Sequence, residues 1–368
     1  MKSVSGQKWD LNFQNQISTW TNLNFSDPLK YQIGARYIPT LSPSFEFKNS
    51  HKLDAEISIN TYGNLLFSGA NYDTVNYDLK LYRFWMRYST SHFELRLGLQ
   101  KINFGSATIL RPLMWFDKMD YRDPLQLTDG VYSLLGRYYF LNNMNIWLWG
   151  LYGNDDIKGW ESVPSVRNIP EFGGRFQMPL SRGEMALSYH HRVADFSEMY
   201  TGIPGINETS FNENRMALDG KWDIGVGLFF EVVGKLNDPE NTLISKWENY
   251  SSIGLDYTFS LGNGLYVISE YFHYANHPEE NQEKLKSNLS LLSLSYPFHL
   301  SHTISYLIYY DWDKKNFYQF LNVQLKYDYL SFYFMVFSNP EDPILYIGPN
   351  DLNMFAGKGI QLMLVFDI

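Results

Sequence analysis

The stretch that decides the fold is Arg182–Arg192, RGEMALSYHHR. In an extended chain Met185, Leu187, Tyr189 and His191 point to one side, while Glu184, Ala186, Ser188, His190 and Arg192 point to the other. Side chains alternate across a strand, so this period of two marks a β-strand with one apolar and one polar face. The same alternation runs through Phe93–Gln100, where Phe93, Leu95, Leu97 and Leu99 oppose Glu94, Arg96, Gly98 and Gln100. It recurs in Arg215–Ile224, with Met216, Leu218, Gly220 and Trp222 on the apolar side. Helical i, i+3, i+4 patterning is essentially absent.

Working outward, the breaks between alternating runs place about eighteen strands along the whole chain, each longer than the usual 5–6 residues. Short turns fall at Thr90-Ser91, Asn142-Asn143, Ser181-Arg182, Gly225, Gly262–Gly264, His299–His302 and Asp328-Tyr329. Longer loops are expected between them, at 64–75, 103–129, 155–169, 195–210, 238–248, 276–285 and 340–358, with short exceptions at 25–28 and 313–315. Alternating short turns and long loops define a transmembrane antiparallel up-and-down β-barrel with one plain and one elaborated rim. The chain 1–368 reads as one such all-β domain, and an even strand count puts both termini on the short-turn rim. Strand four changes phase, since Leu79 and Leu81 share one face while Tyr82, Phe84, Met86 and Tyr88 share the other, so a bulge is expected near Leu81.

Composition agrees once the pattern is known. Of 368 residues, 17% are aromatic and 19% charged, with a net charge of -9, and the mean hydropathy is -0.30. Half of each strand is polar, so average hydropathy cancels and no long apolar run is needed. The acidic balance argues against nucleic acid as a partner, which needs a basic surface. Absence of cysteine excludes disulfides, thiolate metal sites and thiol nucleophiles. Rings near strand ends (Trp9, Trp20, Trp147, Trp149, Trp222, Tyr257, Phe259, Tyr271, Tyr310 and Trp312) are expected to form girdles at the lipid–water boundaries.

Assigning the polar phase to the lumen gives a charge map. Arg83, Arg87, Arg96, Arg137, Arg175 and Arg192 form a basic wall, expected to guide solute. Asp219, Glu231, Asp256 and Glu270 form an opposing acidic wall. Guanidinium groups in a row can pass a carboxylate or phosphate by bidentate contacts; paired with wall carboxylates they simply hold the barrel together. The longest loop, 103–129, carries both charge signs and bulky rings, and is a candidate constriction folded into the lumen through Arg111, Asp117, Asp120, Arg122 and Asp123, or else an external cap.

The segment Leu95–Pro124, with LRLGLQKINFG, LRPLMWFD and DYRDP, resembles the strand-to-loop segment of alginate-export-type and related eighteen-stranded outer-membrane porins; Arg36-Tyr-Ile-Pro39 and Glu270-Tyr-Phe fit the same likeness. The resemblance implies a monomeric barrel with an arginine-lined lumen that passes an anionic saccharide or other small anion.

No catalytic set stands out. His273 and His277 lie about 13 Å apart on a strand, and His190 and His191 point to opposite faces. No metal centre, cofactor or enzymatic activity is therefore expected. The expected function is passive diffusion of small polar or anionic solutes through a bacterial outer membrane, with lipid and lipopolysaccharide around the wall. The alternative is a scaffold barrel anchoring a protein partner in an envelope complex. The opening Met1-Lys-Ser-Val-Ser-Gly has no apolar leader core, so a mature chain without signal peptide is expected, both termini periplasmic.

Overall fold

The computed structural model describes residues 8–47, 50–69, 71–197, 209–239, 244–277, 284–341 and 355–368. All regular structure among them is strand apart from isolated single-residue turns. The loops expected at 195–210, 238–248, 276–285 and 340–358 lie partly outside the described residues.

Eighteen strands follow in chain order: β1 (Lys8–Asn24), β2 (Lys30–Glu46), β3 (Lys52–Ser68), β4 (Asn71–Ser89), β5 (Phe93–Gln100), β6 (Val131–Tyr139), β7 (Asn145–Leu151), β8 (Glu171–Leu180) and β9 (Gly183–Asp195) form the first half. The second half is β10 (Ser210–Asp223), β11 (Gly227–Asp238), β12 (Trp247–Phe259), β13 (Leu265–His277), β14 (Lys286–His299), β15 (His302–Asp311), β16 (Asn316–Lys326), β17 (Leu330–Ser338) and β18 (Lys358–Asp367). Each strand pairs antiparallel with its sequence neighbours, and β1 pairs with β18, which closes the barrel. Closure satisfies the backbone groups of the wall and leaves no long edge, the condition a sheet must meet to sit in lipid.

The outward face is apolar at mid-strand. Leu187, Met216, Val232, Ile253, Leu292 and Leu362 are all exposed there. Such a belt, continuous around a closed sheet, is stable only against hydrocarbon. The inward face carries the polar phase, as the alternation requires: Glu184, Ser188, His190 and Arg192 on β9 point in, and Leu187 points out.

The phase change in strand four is a bulge. Ser58 pairs with Arg83 and Ile59 with Leu81, so Tyr82 is the extra residue. Below it Arg83, Trp85 and Arg87 face in; above it Leu79 and Tyr77 face out.

Two expectations are corrected. The segment 64–75 is not a long loop: β3 runs to Ser68 and β4 starts at Asn71, and pairing runs from Asn64↔Asn76 to Ser68↔Asn71 with a second bulge at Asp73. Gly63, Asn64 and Gly69 resemble turn residues locally, but cross-strand pairing holds the first two extended. Three girdle tryptophans also point the wrong way for lipid. Trp20 and Trp149 are buried in the lumen, and Trp147 lies beneath the Arg137 guanidinium, 3.8 Å from ring centroid to Cζ. Trp9, Trp222, Tyr257, Phe259, Tyr271, Tyr310 and Trp312 carry the outward phase.

Candidate functional site: a lumen bridged by an anchored loop

The 101–130 connection leaves β5, crosses the lumen, and returns to β6. It goes inward because it carries its own apolar core. Ile102, Phe104, Leu110, Leu113, Trp115 and Phe116 are all buried, and they pack with Leu135, Trp149, Val233, Phe272, Leu291, Tyr309, Phe320 and Phe337 in one cluster spanning β6 to β17. Phe104 stacks on Trp149 at 5.3 Å.

The acidic wall anchors this loop. Glu231 accepts from the backbone N–H groups of Ala107 and Leu113, each at 2.8 Å. Glu270 accepts from Thr108 and Ile109 at 3.0 Å and from Leu110 at 2.5 Å. Asp219 accepts from the Ser106 hydroxyl at 2.8 Å. Two carboxylates thus satisfy five backbone donors of a segment without secondary structure, donors that would otherwise lie unmatched inside the barrel. Gly105 is required at the crossing: its φ is +115°, and a Cβ there would collide with the Glu231 carboxylate. Asp256 takes no part; it faces Lys221 at 3.8 Å near the short-turn rim.

The loop's own charges pair internally. Arg111 meets Asp117 at 2.9 Å, both buried, and Arg122 meets Asp120 at 2.7 Å. Asp123 caps a turn, accepting from the Leu125 N–H at 3.0 Å, and burial pushes its carboxyl above the ordinary range.

The arginines do not form one row. Arg87, Arg96 and Arg137 surround Glu94 near the short-turn rim, at 3.5, 3.1 and 3.6 Å, and Arg87 also grips Asp54 at 2.6 Å. Arg175 sits at mid-height in a buried bidentate pair with Asp219, at 2.6 and 2.8 Å. Arg83 donates to the Thr128 carbonyl at the root of the loop. Arg192 is fully buried, bound to Glu213 at 2.7 Å and Glu161 at 3.3 Å. Five of the six therefore face a carboxylate, and the sixth pins backbone.

Arg192 belongs to a charge network that the sequence did not single out. Glu161 lies on the 152–170 connection, which also folds inward. It meets Arg215 at 2.8 Å, while Lys235 bridges Glu213 and Glu248 at 3.2 and 3.1 Å. Lys158, on the same connection, joins Glu171 at 2.9 Å, and His190 joins Glu171 from the other side at 3.1 Å. Trp160 stacks on Phe272 at 5.2 Å and donates its indole N–H to the Arg111 carbonyl at 2.7 Å, which ties the two loops together. The available signal was the inward phase of Glu213, Arg215 and Lys235; their partner on a distant loop left no local trace.

A further set of polar side chains lies away from this core, along β18, β1, β2 and β3. Asn22, Asn60, Asn64 and Gln361 point inward there.

A closed antiparallel barrel with an apolar outer belt is also the fold of solved outer-membrane porins. The chain is structurally similar to OmpF of Salmonella typhi in a complex with daunomycin (TM-score 0.56, 10% identity, 97% of each chain covered). It is likewise similar to OccD3 (OpdP) of Pseudomonas aeruginosa (TM-score 0.55, 10% identity, 99% of this chain and 92% of that one) and to an anion-selective porin from Comamonas acidovorans (TM-score 0.51, 10% identity, 98% and 100%). At this identity the likeness is one of fold. No protein-family model matches the sequence, and comparison with curated proteins finds no match.

Proposed function

We propose that this protein is an outer-membrane channel of porin type that passes small polar solutes by passive diffusion, without covalent chemistry. The observation that carries this reading is the 101–130 loop, folded across the lumen and fastened to the far wall by Glu231 and Glu270. Such an anchored loop sets a narrow bore and leaves a polar strip along β18–β3 as the path. The arginines weigh less toward anions than their number suggests, because Arg87, Arg96, Arg137, Arg175 and Arg192 each have a carboxylate within 4 Å. Lipid and lipopolysaccharide would surround the wall, and the short-turn rim with both termini would face the periplasm. Single-channel recording in planar bilayers tests the proposal: discrete ohmic steps are expected, and a folded, inserted barrel that carries no current refutes it.

A further inference from the structure

The lumen wall made by β18, β1, β2 and β3 holds polar groups left unmatched among the described residues. Asn22 Oδ1, Asn60 Oδ1, Asn64 Oδ1 and Gln361 Oε1 are buried atoms without a hydrogen-bond partner among those residues, and so is Arg36 Nε. The four amide residues are each less than a tenth exposed. Registers place them on neighbouring strands: Gln361 opposes Asn22 on β1, Asn64 opposes Gly34 on β2, and Gly34 opposes Trp20, while Asn60 lies four residues along β3 from Asn64. Trp20 lies flat across Gly34, where a Cβ would strike the indole. Arg36 lies between two rings, 5.4 Å from Trp20 and 5.1 Å from Tyr62. On the loop side Leu125 packs against the cluster that holds Trp20, and Asp123 lies close enough for Arg36 to act on its charge.

Buried polar atoms are nearly always paired with protein or ordered water, so a set of unmatched ones along a path marks a place for something that supplies hydrogen bonds. The set has a chemical bias. An amide both accepts and donates, as a hydroxyl does, whereas an anion only accepts. The cation among these groups, Arg36, has the Asp123 carboxylate within electrostatic range. An anion would find its charge poorly matched beside that carboxylate. A molecule rich in hydroxyl donors, with C–H faces to lie on indole and phenol rings, matches both parts of the strip.

Resting on the channel reading, we propose that this strip is a binding subsite for neutral polyhydroxylated solutes of monosaccharide to disaccharide size, and that the channel prefers them to anions of equal size. The amides of Asn22, Asn60 and Asn64 take the hydroxyls, Arg36 donates to ring or hydroxyl oxygens, and Trp20 carries the apolar face.

Liposome swelling and current block with glucose and with gluconate test this, since the two differ in charge at nearly equal size. Glucose is expected to pass faster than gluconate and to block the KCl current saturably. Asn60→Ala with Asn64→Ala is expected to weaken glucose block about fivefold per acceptor lost while the KCl current persists; Asn22→Ala serves as an independent variant should the pair fail to insert. Gluconate passing as fast as glucose overturns the proposal. So does glucose block unchanged in the variants, which would mean that the strip holds water alone. In both cases the ionic current remains and the channel reading stands. A wild-type barrel carrying neither ions nor sugar refutes the channel itself and this subsite with it.

Discussion

Removing the Glu270 carboxylate should release the lumen loop. Glu270 accepts from the N–H groups of Thr108, Ile109 and Leu110, and the Leu110 donor has no access to water in place. In Glu270→Ala all three donors lose their acceptor. A buried group left unmatched costs about 1–3 kcal/mol. Thr108 and Ile109 are only partly buried and recover some hydration, so a total of about 3–5 kcal/mol is reasonable, set against a loop that stays attached through Glu231 and its aromatic core. At about 1.4 kcal/mol per decade, 3 kcal/mol raises the population of the detached loop about a hundredfold. Hydrogen–deuterium exchange of the peptide covering 103–116, with the protein in detergent micelles, reads that directly. Exchange in Glu270→Ala should rise by about two orders of magnitude, and Glu270→Gln, which keeps one acceptor oxygen, should fall between the two. Bilayer recordings of the same variant should show larger and noisier steps. Exchange in this peptide within twofold of the parent protein would show that the carboxylate does not hold the loop, and the reasoning would fail.

Three further outcomes follow from the same geometry. Arg175→Ala leaves Asp219 charged and buried, and should lower stability by about 3–5 kcal/mol, whereas Arg175→Met with Asp219→Leu should recover most of it; urea midpoints followed by heat-modifiability decide, and a single variant as stable as the double refutes the pairing. Glu94→Gln leaves Arg87, Arg96 and Arg137 without their shared carboxylate, so the reversal potential in a KCl gradient should move toward chloride; a shift toward potassium, or none, counts against their lining the conducting path. Asp123 has its pKa raised by burial. A raised acid opposes the folded loop only when ionised, so that cost is absent below the unfolded value of about 4, grows as pH climbs from there to the raised one, and is constant above it. Protection of 118–128, with the intrinsic pH dependence of amide exchange divided out, should therefore fall from acid toward neutral pH, and Asp123→Asn should flatten that trend; an unchanged trend refutes the assignment.

The barrel was legible in the sequence because its rule is local. Period-two alternation in Arg182–Arg192 or Phe93–Gln100 states that a strand exists and that its faces differ, and the bulge beside Leu81 was readable as a break in phase. The same rule misplaced Trp20, Trp147 and Trp149, since a ring near a strand end fits a lipid girdle or a packed lumen equally well, and phase alone settles it. It also opened the 64–75 segment, where cross-strand hydrogen bonds override turn-like residues.

By itself, then, the sequence determined strand, phase and closure, since these depend on neighbours two residues apart or on repetition. Only the tertiary structure decided what the lumen charges do. Glu231 and Glu270 meet backbone donors more than a hundred residues away in the chain, and Arg192 meets Glu161 across two elements. A buried charge is stable only with a partner at hydrogen-bond distance, and which partner arrives depends on where an inward-folding loop comes to rest. That converted an expected open charge gradient into an anchored loop and a set of charges largely paired with one another, with unmatched polar atoms along β18–β3 and at other places in the wall.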